Sequence, residues 1–268
     1  MPAIDIADLA ARTAILAGLF SQPEAFVRSL HELLDSYTNR TVRSPRFTYR
    51  ASIPSYRTPR PVLRKIESIL APLLDQHPAD AVVLTNALWD AGYLETRLIA
   101  ARALGMIPSV NAISMYARLP DWLSQNKDSL IQRSLLTDSF SRIRRENPGA
   151  FLLILDGWIN THDSKQQGWA LSAIIPLLED PHFEDLPSLF KIIRPAVLDV
   201  SPMTQLELQR CLAVSEKRFI VETAHFLREV VRENPNPELL RTIRRILLNL
   251  SLVLREGLRE TLRQYDEY

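Results

Sequence analysis

The chain has 268 residues, of which 46% are hydrophobic, and carries 32 Lys and Arg against 31 Asp and Glu. That content suffices for a sizeable core in one elongated or two compact units, and the near balance of charge excludes a polycation, so any affinity for nucleic acid or acidic lipid has to sit in a local patch. The single Cys211 cannot form an internal disulfide, and apolar runs such as 150–155 are far too short to cross a membrane.

Gly is scarce, at 7 residues, and Pro common, at 18. Most prolines fall between apolar periodic runs and read as helix punctuation. Residues 4–20 predict a first helix. Its acids and Arg12 lie inside the amphipathic pattern, which is not the order of a signal peptide. Ser21 and Glu24 have the spacing of a capping box for a second helix with Phe26, Val27, Leu30, Leu33 and Leu34 inward. Residues 38–58 break the periodicity and predict a long loop. Pro59 or Pro61 restarts a helix with Leu63, Ile66, Ile69 and Leu70 facing inward.

Residues 78–108 predict a back-to-back helix pair. Asp80 is placed to cap the first helix, Gly92 to end it in the left-handed conformation, and Pro108 to stop the second. A short helix over 109–119 and a longer run over 121–146, broken near Asn126, come next. Asn147 and Pro148 open another helix. Ser164 to Gln167 reads as a capping box for a helix kinked at Pro176. Helices over 186–198, from Ser201 onward, and over 218–232 precede a firm break at 234–237. The last two helices, over 237–250 and 251–265, form an antiparallel hairpin or one bent helix. Strand signals are nearly absent. One such pair cannot bury its own apolar face, so the expected fold is all-α, an α-solenoid of HEAT-like antiparallel helix pairs in a single domain over 1–268.

The most informative stretch is the basic loop. Arg40, Arg43, Arg46, Arg50, Arg57, Arg60, Arg64 and Lys65 occur with no Asp or Glu among them, and Phe47, Tyr49 and Tyr56 are interleaved. Guanidinium groups bind phosphates bidentately and aromatic faces stack on bases, so this is a nucleic-acid footprint. The alternative is a solvated loop whose arginines pair with acids elsewhere.

Two segments, Arg57-Thr58-Pro59-Arg60-Pro61-Val62-Leu63-Arg64-Lys65-Ile66 and Leu88-Trp89-Asp90-Ala91-Gly92-Tyr93-Leu94-Glu95-Thr96-Arg97-Leu98-Ile99-Ala100, resemble the DNA alkylation repair family of the AlkD type. The resemblance covers about residues 40–180. It implies a HEAT-repeat solenoid whose concave basic face holds duplex DNA. It also implies excision of cationic alkylated bases, with tryptophans on the DNA backbone and an aspartate near the lesion. On that reading Trp122 and Trp158 contact DNA together with Arg43, Arg46, Arg50, Arg57 and Arg60. The family pairs a tryptophan with an aspartate four residues on; here Asn126 follows Trp122 at that spacing, and the nearest acid, Asp128, is the catalytic candidate. Where the family has adjacent arginines after its next tryptophan, this chain reads Gln166-Gln167-Gly168. These departures predict weak or absent base excision.

The remaining residues carry blander expectations. Asp90, Glu95 and Arg97 either line a concave surface or, as such residues more often do, make ion pairs and caps within a repeat. A tryptophan at helical spacing in a solenoid is more often a core residue than a DNA contact. Glu179, Asp180, His182, Glu184 and Asp185 resemble a hard-metal ligand set but read rather as a helix end followed by acids at the next helix N-terminus, where the dipole favours them. Neither cofactor nor metal is expected. The partners expected are duplex DNA or, alternatively, a protein bound by a non-catalytic helical-repeat scaffold in its concave face, with no membrane partner and a cytoplasmic setting.

Overall fold

The computed structural model describes residues 5–38 and 53–265. Among these residues it is all-helical, and no helix is long and apolar enough to cross a membrane. Two compact units divide the chain, Met1–Asn147 and Pro148–Tyr268.

The first unit holds α1 (Ile6–Gly18), α2 (Pro23–Ser36), α3 (Arg60–Gln76), α4 (Pro78–Asp90), α5 (Leu94–Leu104), α6 (Ser109–Tyr116), α7 (Leu119–Ser124), α8 (Ser129–Thr137) and α9 (Ser141–Glu146). The earlier helices pack on the next but one, α1 on α3, α2 on α4, α3 on α5 and α4 on α6, whereas α5 packs on α8 and α6 on α9. The buried stripes explain this. Leu63, Ile66, Leu70 and Leu74 of α3 lie on one face and are sealed, as are Phe26, Leu30, Leu33 and Leu34 of α2. Small residues Ala100, Ala101 and Ala103 let α5 approach its neighbours closely.

The second unit holds α10 (Pro148–Ile159), α11 (Ser164–Leu178), α12 (Leu186–Leu198), α13 (Gln205–Glu233), α14 (Pro237–Leu247) and α15 (Leu252–Arg263). Here α10 packs on α11 and α12, and α13 packs on α11, α12, α14 and α15. Phe219, at φ −131° and ψ 47°, bends α13, so the break expected before 218–232 is present as a kink. Cys211 is fully buried on this helix, which pushes its thiol up to about 12.

Several helix ends differ from expectation. Gln22, not Ser21, precedes α2, and Pro23 takes its first position. His77, not Asp80, precedes α4, because Pro78 starts it and leaves Asp80 inside the first turn. Asp163 caps α11 by accepting from the Lys165 N–H, so Ser164 is already helical. The 121–146 run is three helices, with Pro120 inside the first turn of α7. α5 ends at Leu104, before Pro108, which instead precedes α6. Gly92 has φ +77°, the left-handed conformation that ends α4.

Candidate nucleic-acid interface

The described end of the basic segment is an extended strap over 54–58 that leads into α3. Its backbone has no helix of its own to satisfy it, and α5 supplies the partners. The Leu94 N–H donates to the Pro54 carbonyl at 2.9 Å. Glu95, only 3% exposed, accepts from Ser55 Oγ (2.8 Å), the Tyr56 N–H (3.1 Å) and the Thr58 N–H (3.3 Å). Glu95 is therefore a clamp for the strap and not a partner of a cation within its repeat, as the sequence suggested. The spacing could not show this, because its partners lie far back in the chain.

Three rings fix the strap from the side. Tyr56 stacks on Tyr93 with centroids 4.8 Å apart, and its hydroxyl lies 2.8 Å from His31 Nδ1 of α2. His31 meets Tyr93 edge-on at 4.8 Å. Burial, with the neighbouring Tyr93 hydroxyl, pushes Tyr56 up to about 12, and burial holds His31 below the ordinary histidine value. Both groups are thus neutral near pH 7.

This clamp decides where the cations go. Arg57 sits at φ 55°, uncommon for a residue with a side chain, and its N–H donates to Ser55 Oγ at 3.1 Å. Arg57, Arg60, Arg64 and Lys65 are all exposed. α3 carries no acid in its first turn, so the positive end of the helix dipole adds to the field of these side chains. Arg60, Arg64 and Lys65 form no ion pair among the described residues, whereas Arg12, Arg102, Arg142, Arg194 and Arg210 each do. Arg43, Arg46 and Arg50 lie outside the described residues.

The tryptophans are elsewhere, and inside. Trp89 of α4 and Trp122 of α7 stack at 4.2 Å with planes 8° apart, and each is 2% exposed. Trp122 therefore presents no face to a DNA backbone; it is a core ring. Trp158 of α10 is buried likewise, at 5% exposed. In both cases the ring lies in the interior because its neighbours in sequence, Leu123 and Ile159, are buried with it.

Asn126, which stands where the family pattern has an aspartate, is 1% exposed and bonded through both ends of its side-chain amide. Its Nδ2 donates to the Trp122 carbonyl at 2.7 Å, and its Oδ1 accepts from Arg97 Nη1 at 2.6 Å. The Arg97 guanidinium also sits 4.9 Å above the Trp89 ring, and Gln132 Nε2 donates to the Asn126 carbonyl at 2.7 Å. This network closes the 125–128 turn and offers nothing to a substrate. Asp128 is the N-cap of α8, its Oδ1 accepting from the Leu130 and Ile131 N–H groups at 2.9 and 3.3 Å. Gln167, at a position where the family carries a cation, donates to the Ile159 and Thr161 carbonyls at 3.1 and 2.8 Å and so closes the turn before α11.

The acidic run near 180 behaves as a capped junction. Asp185 accepts from the Ser188 N–H at the start of α12, and Asp180 accepts from the His182 N–H. No group of three or more His, Cys, Asp and Glu side chains among the described residues could hold a metal ion. The Arg97–Asn126 pair and the Glu95 clamp were not singled out as such from sequence; the one hint was that Asn126 falls where the helical run breaks.

No family model, no curated protein and no solved structure matches this chain.

Proposed function

We propose that the chain is a HEAT-like helical-repeat protein that binds duplex DNA through the cationic surface at the start of α3 and performs no base excision. One observation carries the binding: Arg60, Arg64 and Lys65 are exposed without ion-pair partners among the described residues, beside a helix start that has no acid. With charge nearly balanced over the whole chain, leaving such a cluster unneutralised costs self-repulsion that phosphates relieve. The packing of alternate helices within each unit supports the repeat reading, since stacked helix pairs bury a continuous core in that way. The bonded state of Asn126 and Asp128 supports the absence of catalysis.

A salt titration tests the binding. The log of affinity for duplex DNA should fall linearly with the log of salt, each neutralised phosphate contributing about −0.9 to the slope. Arg60→Ala should make the slope shallower by roughly one unit, weaken all sequences alike and change stability by no more than about 0.5 kcal/mol. No duplex binding by the wild type at low salt would remove this reading. Base excision is tested separately with an oligonucleotide carrying a cationic alkylated base. The expected result is no release above background. Because asparagine caps a helix as well as aspartate does, Asp128→Asn leaves α8 intact, and a robust wild-type rate lost in that variant would restore the enzyme.

A second reading is supported by a different surface. Between α12 and α13 lies a cavity of about 600 Å³ floored by Phe190 and Phe226, whose rings stack at 4.6 Å. An apolar floor with a charged rim suits a protein partner's side chain, which is the scaffold alternative.

A further inference from the structure

The last two helices present the most lopsided charge of the second unit. α14 carries Arg241, Arg244 and Arg245, and α15 carries Arg255, Arg259 and Arg263; the acids on the two helices are Glu238, Glu256 and Glu260. On α15 the arginines recur every fourth residue, so they share a face and stand about 6 Å apart along the axis. A groove of about 350 Å³ separates them from Arg244, and Glu256 is the one acid lining it. The Arg259 and Arg263 side chains make no hydrogen bond or ion pair among the described residues.

The turn joining the helices adds an independent feature. Leu248, Leu252 and Val253 are 68%, 68% and 64% exposed, three large aliphatic side chains within six residues. They are held out by a built turn rather than a frayed end. Ser251 caps α15 by accepting from the Leu254 N–H, and its own N–H and hydroxyl donate to Glu216 of α13. Arg255 donates to the Leu248 and Leu250 carbonyls at 2.8 and 3.0 Å and closes the end of α14. Glu216 is thus spent on the turn.

We propose that this hairpin end docks on an anionic membrane surface, with Leu248, Leu252 and Val253 entering the acyl boundary and Arg259 and Arg263 holding lipid phosphates. The exposed aliphatics gain from an apolar medium, and the arginines further along α15, about 9 to 16 Å from Leu252 and Val253 along the axis, gain from anions; a bilayer interface, with acyl chains below its headgroups, supplies both. Nucleic acid would leave the aliphatics in water, and neither helix carries an aromatic ring to stack on a base. A second copy would set arginine against arginine. The sequence led to an expectation of no membrane partner because nothing spans; α15, at 12 residues, does not span either, and surface contact does not require it. The proposal is independent of the DNA reading, which rests on the other unit.

The test is sedimentation of the full chain with vesicles of phosphatidylcholine alone and of phosphatidylcholine mixed with phosphatidylglycerol. Binding is expected only to the anionic vesicles and should weaken with salt. Leu252→Ser with Val253→Ser, and separately Arg259→Gln with Arg263→Gln, should each reduce the partition coefficient about tenfold or more with circular dichroism unchanged. Arg60→Ala should sediment as the wild type does. Failure of the wild type to bind anionic vesicles overturns the proposal and leaves an acidic protein as the occupant of this face. Equal binding to neutral vesicles overturns it, as does full binding by the serine variant, which would reduce the contact to charge adhesion without insertion. Loss of vesicle binding in Arg60→Ala would also overturn it, by moving the contact to the other unit.

Discussion

Trp122→Ala should destabilise the first unit by about 4 kcal/mol in urea denaturation, and any loss of DNA affinity should follow only from that unfolding. Truncating a buried tryptophan costs about 3–5 kcal/mol through lost transfer energy and the cavity left behind. The parallel stack on Trp89 at 4.2 Å adds roughly 0.5–1.5 kcal/mol beyond area. The same cavity would open beneath the 125–128 turn, where Asn126 and Arg97 depend on a fixed Trp122 backbone and Trp89 ring. A tryptophan that instead contacted phosphates would behave oppositely: stability would hold and affinity would fall. Trp122→Phe, which keeps an aromatic ring on Trp89, should lose less than half as much. A Trp122→Ala protein with wild-type stability and weakened DNA binding would show that the ring faces solvent.

Gly105→Ala should cost about 3 kcal/mol or more, a large effect for one methyl group. Its φ of −72° is ordinary, so the demand for glycine here is not a left-handed turn. A Cβ at this position would lie 1.9 Å from the Asp138 carbonyl oxygen and 2.6 Å from Ser141 Oγ. The end of α5 and the 138–142 turn are bonded to each other across that contact. Ser139 Oγ donates to the Ala101 carbonyl, Ser141 Oγ to the Gly105 carbonyl, and Arg142 Nη1 to the Met106 carbonyl, at 3.1, 2.9 and 2.5 Å. Arg142 is itself tied to Asp75 and Glu146. Backbone cannot move aside as a flexible side chain does, so the methyl group would separate the two segments and strand the α5 carbonyls. Gly157, inside α10 with nothing within 4 Å of its would-be Cβ, is the control: Gly157→Ala should stabilise by about 0.5–1 kcal/mol. Denaturation of the two variants side by side separates close packing from helix propensity.

The all-helical class was legible in the sequence because its causes are local. Apolar residues recur at helical spacing, and prolines and Gly92 mark the ends through fixed or left-handed φ. The buried stripes of α2 and α3 follow from the same periodicity. Cap residues were legible only in part: at Pro23 and Pro78 the start shifted away from the Ser21 or Asp80 that spacing favoured, whereas α10 and α14 start at Pro148 and Pro237 as expected. The basic character of the α3 start was also plain, since it needed only a count of charges. Whether those cations were neutralised was not. Tertiary structure decided that, by giving Glu95 to the strap and leaving Arg60, Arg64 and Lys65 without ion-pair partners among the described residues. It decided the tryptophans as well. α7 has six residues, too few for a periodic stripe to say which face of Trp122 is inward, and the answer came from Trp89 on another helix. Local patterns fix helices because the hydrogen bonds close within four residues; the roles of Glu95, Trp122 and Gly105 rest on partners brought from some 33 to 40 residues away, and spacing carries no record of them.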